Sequence, residues 1–251
     1  MRIILATYSP TFTGRKVARF IGAGLGGAEE IDLAKPEITG YEFSEDDLVV
    51  FAAPVYAGRL PKPAAERLQA IRGNGALAVA VVVYGNRDYD DALLELKDLC
   101  ELSGFEVVAC AAFIGQHTYS AQFATGRPDD TDAEIARAFG RAIAEKLEAG
   151  EPRQPVRVKG TRPYKPLPTS HPALLCSDDC VLCGACAKSC PTGAIPKDEP
   201  NTTESEVCIA CGRCIRVCPT QARDFPSDFL KAVAARLAPL CAGYKEPGTF
   251  L

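Results

Sequence analysis

Residues 76–84 read ALAVAVVVY, a continuous apolar run without the polar alternation of a half-exposed strand. A short run so rich in Val is a strand buried on both faces, as in a parallel sheet covered by helices. Working outward, RIILAT at 2–7, LVVFAA at 48–53 and the segment 105–114 have the same character, and a weaker strand fits 30–33. Helical periodicity fills the gaps, over 14–25, 61–71, 90–102 and 131–148. Leu93, Leu94, Leu96 and Leu99 mark the buried face of the third, and Thr131 or Asp132 is the expected N-cap of the last. Five strands alternating with four helices predict an α/β, doubly wound parallel sheet. Ligands of such sheets bind outside the carboxyl ends of the strands. The loops to inspect are therefore 8–14, 54–60, 84–90 and 115–120.

The 251 residues carry 47% hydrophobic side chains and a net charge of -4, an ordinary globular composition with no basic footprint for nucleic acid. No apolar run approaches the roughly 18 residues of a membrane span, and the start MRIILATYSP does not read as a signal peptide. A soluble cytoplasmic protein is expected. The charge is unevenly spread. Residues 1–150 hold 15 Lys/Arg against 22 Asp/Glu, residues 151–175 hold 5 against 1, and residues 176–225 hold 5 against 7. With six prolines in 150–175, a basic Pro-rich linker joins two acidic bodies, 1–149 and 176–225. It is expected either to lie along the acidic surface of the first or to remain an ordinary solvated connector. A C-terminal helix over 227–240, with Phe229, Leu230, Val233 and Leu237 on one face, completes the chain.

Eight of the twelve cysteines fall between Cys180 and Cys218. In a reducing compartment such a pattern points to metal or redox chemistry rather than to disulfides. Cys180, Cys183, Cys186, Cys190 and Pro191 recur 28 residues later as Cys208, Cys211, Cys214, Cys218 and Pro219. Gly184 and Gly212, Thr192 and Thr220, Ala194 and Ala222 also match, so the segment is an internal duplication. Zinc also takes C-x-x-C pairs, but its sites separate two pairs by a longer spacer. Here three cysteines at two-residue intervals precede C-P twice. Val181, Ile195, Val207, Ile209, Ile215 and Val217 are expected to fill the small core. Cys176 reads as a spare thiol, Cys100 and Cys110 as small buried hydrophobes, and Cys241 is uninformative.

The duplication resembles the bacterial ferredoxins that hold two [4Fe-4S] clusters. The resemblance implies crossed ligation, in which the fourth cysteine of each run serves the other cluster. One cluster would then take Cys180, Cys183, Cys186 and Cys218, and the second Cys208, Cys211, Cys214 and Cys190.

The first domain resembles flavodoxin, which implies a five-stranded sheet of order 2-1-3-4-5 with FMN at the switch between strands 1 and 3. The family's phosphate loop, roughly S/T-x-T-G-x-T, aligns with Ser9, Thr11, Phe12, Thr13 and Gly14. Phe12 stands where glycine is usual and Gly14 where the last hydroxyl is usual. The loop with Pro54, Val55, Tyr56 and Gly58 aligns with one wall of the flavin. Tyr84, Gly85, Asn86, Arg87 and Tyr89 align with the other, Tyr89 as a stacking ring. His117 and His171 are expected to be structural and exposed, respectively. Together the halves resemble the ferredoxin-flavodoxin fusion proteins of the EFR1 type, which implies electron transfer between FMN, two [4Fe-4S] clusters and external redox partners, a donor reductase and an acceptor enzyme. Oxygen sensitivity and an anaerobic host are further implications. The alternatives are a flavin-dependent reductase acting directly on a small molecule, or an iron-sulfur carrier whose first domain is a flavin-free docking module.

Overall fold

The computed structural model of the chain describes residues 1–35, 40–150, 154–168 and 172–251. Strand β1 (Arg2–Thr7) is followed by α1 (Thr13–Gly24), β2 (Glu29–Asp32), β3 (Asp47–Pro54), α2 (Lys62–Gln69), β4 (Leu77–Tyr84), α3 (Ala92–Leu102), β5 (Glu106–Ile114) and α4 (Asp130–Glu148). The strands pair in parallel in the order β2-β1-β3-β4-β5. This is the flavodoxin-like order, with β3 central, β1 between β2 and β3, and the chain winding first to one side of β1 and then to the other.

Alternate residues of each strand feed two separate cores, which is why the runs show no polar face. Val49, Ala78, Ala80, Val82 and Cys110 pack with Leu60, Leu68, Leu93 and Leu96 beneath α2 and α3. Val50, Val79, Val81 and Phe113 pack with Val17, Ile21, Ala136 and Phe139 beneath α1 and α4. Each such Val or Leu stabilises the fold by about 1.5–3 kcal/mol relative to an exposed position. Cys100 and Cys110 are buried core thiols, as expected. The N-cap of α4 is Asp129, two residues before Thr131 and three before Asp132, the two expected. Its carboxylate accepts the Asp132 amide while Asp132 accepts the Asp129 amide, so Asp132 completes a capping box rather than starting the helix.

The basic strap is fastened to the sheet domain. Val156 is buried in the α2/α3 core. Lys159 pairs with Asp88 at 2.5 Å, Arg162 with Asp98 at 2.5 Å and Lys165 with Asp90 at 2.7 Å. Exposed pairs of this kind contribute only about 0–1 kcal/mol each. The stronger anchor is the buried Asp91, whose carboxylate accepts the backbone amides of Thr161 and Lys165, both at 2.9 Å. His171 lies outside the described residues.

The second unit comprises β6 (Leu175–Cys176), α5 (Ala185–Ser189), α6 (Arg213–Val217), β7 (Arg223–Asp224) and α7 (Ser227–Leu237), with β6 and β7 antiparallel. Its core contains Leu174, Ile195, Ala210 and Phe225, with Ile215 partly buried against it. Val181 and Val207, expected inside, are 64% and 40% exposed. Val181 lies in the first cysteine loop and Val207 directly before the second, and both loops curl their backbones around a cavity, which turns these side chains outward. The helix α7 ends three residues earlier than expected. The chain then returns to the first domain, where β8 (Gly248–Phe250) adds antiparallel to β5 as a sixth strand that the sequence reading did not include.

Candidate redox site

The eight repeated cysteines line two cavities. Cys180, Cys183, Cys186 and Cys218 line one of about 290 Å³, together with Gly184, Pro200 and Arg223. Cys190, Cys208, Cys211 and Cys214 line the other, of about 310 Å³. Each cavity thus gathers three cysteines of one run and the fourth of the other. Among the described residues no three His, Cys, Asp or Glu side chains converge closely enough to hold a single metal ion.

The duplication extends to backbone conformation. Leu182 and Ala210 have φ of 54° and 50°, Gly184 and Gly212 of 70° and 73°, and Gly193 and Gln221 of 72° and 56°, each pair 28 residues apart. Left-handed residues at the third and fifth positions of each C-x-x-C-G loop turn its amides inward. The Ala210 amide donates to Cys208 Sγ at 3.4 Å and the Ala222 amide to Cys218 Sγ at 3.3 Å. Such N–H···S bonds are part of how proteins hold iron-sulfur clusters and set their potentials. Burial pushes the Cys211 and Cys214 thiols up to about 12. A neighbouring cation is what would keep them as thiolates at neutral pH.

Orphaned polar atoms provide an independent test of fit. Among the described residues, the buried side-chain nitrogens and oxygens without a partner are Tyr8 Oη, Arg213 Nε and Arg223 Nε. Arg223 lines the first cavity and Arg213 the second. The electrostatic neighbours of Tyr8 include Cys211 and Cys190 of the second. Buried donors facing cavities ringed by sulfur fit an anionic cluster in each.

The second cavity faces the loops at the carboxyl edge of the sheet. Tyr119, after β5, donates its hydroxyl to the Ala210 carbonyl at 2.9 Å. Arg67 of α2 lies over the Tyr8 ring and donates to the Pro191 carbonyl at 2.7 Å. Arg213 donates to the Ser9 carbonyl at 3.4 Å and pairs with Asp32 at 3.1 Å. Its guanidinium stands over the Phe12 ring, 4.8 Å from the centroid. The first cavity is turned away from the sheet domain, with Cys183, Val181 and Leu182 at the protein surface.

In the loop after β1, Phe12 takes the left-handed conformation, φ 66°, at the start of α1. It holds the turn that glycine would favour, at a strain of about 1–3 kcal/mol. The Ser9 hydroxyl accepts the Arg15 amide at 3.1 Å, and Thr11 and Thr13 lie with hydroxyls 3.4 Å apart. Gly14 packs close to Ser9, and the N-cap residue Phe12 supplies no side-chain hydrogen bond of its own. A helix start with three hydroxyls and the nearby Arg213 guanidinium fits a phosphate. Pro54 ends β3 and Val55 follows it, beside Tyr56, which keeps accessible surface although burial drives its phenol well above the ordinary range. Its neighbours include Cys208, Cys211, Tyr8 and Tyr119. Ala57 and Gly58 close that loop at φ 52° and 87°.

The loop after β4 is engaged differently. Tyr84 and Gly85 reach the same edge, the latter directly under His117. Asn86, at φ 66°, donates its buried amide to the carbonyls of Cys241 at 2.7 Å and Gly243 at 3.0 Å. Arg87 pairs with Asp90. Tyr89 packs on Tyr84 with Lys159 4.0 Å over its ring. The side chains of these three are held by the tail, their own loop and the strap. His117 is structural: its Nδ1 accepts the Tyr119 amide, and burial lowers its pKa to about 4, leaving it neutral.

The sequence reading missed Tyr8, Asp32, Arg67, Tyr119, Arg213, Arg223 and the tail. For two of them the repeat itself held the signal. Arg213 replaces Ala185 and Arg223 replaces Ile195 at matched positions 28 residues apart.

A parallel sheet with loops gathered at its switch point, joined to a duplicated eight-cysteine unit, defines a two-part redox protein. Residues 179–222 match the family of 4Fe-4S dicluster domains. The module holds two [4Fe-4S] clusters, and its role is electron transfer. No curated protein matches the chain. Among solved structures, a flavodoxin from the domain Archaea is similar, with 16% identity and a TM-score of 0.44 over 59% of this chain and 99% of that one. A Streptococcus pneumoniae flavodoxin has 16% identity and a TM-score of 0.42 over 60% of this chain and 100% of its own. Rubredoxin oxygen:oxidoreductase from Desulfovibrio gigas has 16% identity and a TM-score of 0.44, covering 59% and 36%. The fold assignment rests on strand order rather than on these likenesses. No helix among the described residues is long and apolar enough to cross a membrane.

Proposed function

We propose that this chain relays electrons between FMN at the carboxyl edge of the sheet and two [4Fe-4S] clusters, and passes them to or from an external redox partner. The observation that carries the reading is the seating of the second cavity on the Ser9, Tyr56 and Tyr119 loops. Clusters supply one-electron chemistry and a flavin one- or two-electron chemistry. In this reading Cys180, Cys183, Cys186 and Cys218 hold one cluster, and Cys208, Cys211, Cys214 and Cys190 the other. Ser9, Thr11, Thr13 and the start of α1 hold the phosphate, Tyr56 walls the ring, and Tyr119 and Arg213 hold the modules together. The exposed Cys183 edge is where a partner would approach. The reduced thiols this requires fit a cytoplasmic setting.

A second reading, an iron-sulfur carrier with a flavin-free docking domain, is favoured by one observation: Asn86, Arg87 and Tyr89 already have protein partners. Rapid-freeze EPR and flavin absorbance after mixing the anaerobic protein with a one-electron donor separate the two. The relay expects flavin bleaching and cluster signals to develop together. Cluster signals without any flavin absorbance support the carrier.

A further inference from the structure

The duplicated repeat places an apolar residue, Ile195, at a buried position after its first C-P, and a cation, Arg223, at the matched position after its second. Arg223 is 2% exposed. Its Nη1 donates to Thr203 Oγ1 at 2.6 Å, and Nη2 donates to the carbonyls of Pro200 and Thr202. The same Nη2 lies 3.9 Å from Cys186 Sγ, within reach of an N–H···S bond, and Nε has no partner. The three oxygen acceptors are all neutral. Among the described residues no carboxylate lies within 4.0 Å of the guanidinium.

An isolated buried charge is very unfavourable unless an opposite charge compensates it. Position identifies that charge. Pro200 and Cys186 line the first cavity and Thr203 lines the second, so the guanidinium lies in the wall between the two. Its field also reaches the thiols of Cys208 and Cys214 on the far side. We infer that Arg223 is the shared counter-ion of the two clusters and sets their reduction potentials, that of the first most strongly because it alone receives the direct N–H···S contact. This rests on the two-cluster reading above. A cluster bound by four thiolates is anionic, and its charge becomes one unit more negative when it takes up an electron. A fixed cation beside it therefore favours the reduced form, with no bond made or broken and no proton moved. Arg213, the matching departure at the second cavity, already has Asp32 as its partner. Arg223 is thus a positioning and tuning residue rather than a ligand.

The test is an EPR-monitored redox titration of the full anaerobic chain, with iron content measured on the same samples. In Arg223→Gln the first cluster should become harder to reduce by at least tenfold in its reduced-to-oxidised ratio at fixed potential, which is 59 mV for a one-electron couple. The second should move the same way by less, and Arg223→Lys should restore most of the shift. Full iron content with both midpoints unmoved in Arg223→Gln overturns the inference and leaves the electron-transfer reading intact. Absence of [4Fe-4S] signals from the unaltered protein overturns that reading instead. Should Arg223→Gln not assemble, unaltered protein carrying arginine labelled with ¹⁵N in the guanidinium alone decides. A nitrogen coupling to the reduced first cluster supports the assignment, and its absence overturns it.

Discussion

Arg213 stands between Gly212 and Cys214 in the second cysteine run, yet its guanidinium donates at 3.1 Å to the carboxylate of Asp32, 181 residues earlier at the end of β2. Both side chains are largely buried, 8% and 14% exposed. One ion pair therefore ties the cysteine unit to the edge of the sheet where the loops converge. Arg67 with Pro191 and Tyr119 with Ala210 make the same connection from α2 and from the loop after β5.

Asp32→Asn tests this tie without touching the cysteine unit. Removing one partner of a buried charged hydrogen bond costs about 1–3 kcal/mol. Amide exchange should accelerate in 116–120 and 209–213 while iron content stays at the unaltered level. Unchanged exchange in both segments would show that the pair does not hold the modules together.

Crossed ligation has its own signature. Cys190→Ala should remove the cluster held by Cys208, Cys211 and Cys214 while the other persists, and Cys218→Ala should do the converse. EPR of the two variants should show complementary losses. Loss of the cluster belonging to each cysteine's own run would reverse the pairing.

The strap should respond to acid in a defined direction. Asp91 is held below the usual carboxylate range first by the Lys165 amide, with Thr161 adding to it. At Asp98, burial opposes ionisation but the hydrogen bonds from Arg162 and Tyr164 outweigh it. A lowered folded-state pKa adds stability that is present above the unfolded value, about 3.9 for Asp. That stability is lost as pH falls through the folded value. The amide signals of Thr161 and Lys165 should hold their positions from pH 8 to 5 and shift only below about pH 4. A transition near neutrality would point to a different anchor.

Asn86→Ala should free the tail. The amide's two bonds to Cys241 and Gly243 hold the segment leading to β8. Leaving the buried Cys241 carbonyl without that donor costs about 1–3 kcal/mol. Proteolysis between Leu237 and Gly248 should quicken while the parallel core stays resistant, and an unchanged cleavage rate would assign the hold to Lys245 and Arg127, which also bond the tail.

Much of this architecture was legible because it depends on local pattern. The apolar runs placed four of the five parallel strands and a weaker pattern the fifth, while the 28-residue cysteine period gave two equivalent runs and the ferredoxin resemblance implied the exchange of their fourth cysteines. The charge imbalance of 151–175 left a docked strap and a solvated connector equally open, and only the fold, through Asp91 and the pairs to Asp88, Asp90 and Asp98, decides for docking. What stayed hidden depends on long-range partners. The residues Gly248–Phe250 carry no strand pattern of their own and become β8 only because the edge of β5 is open. Asn86 and Tyr89 read as flavin contacts in sequence, and only the fold reveals the tail and Lys159 beside them. Arg213 and Arg223 could have been found as departures within the repeat, although their partners, Asp32 and the wall between the cavities, belong to the folded chain.

The most direct measurement is acid release of FMN and iron from one anaerobically purified sample supplied with FMN. The relay requires about one FMN and about eight iron atoms per chain. About eight irons with no FMN retained would contradict it, leaving two clusters docked on a sheet domain that holds no flavin.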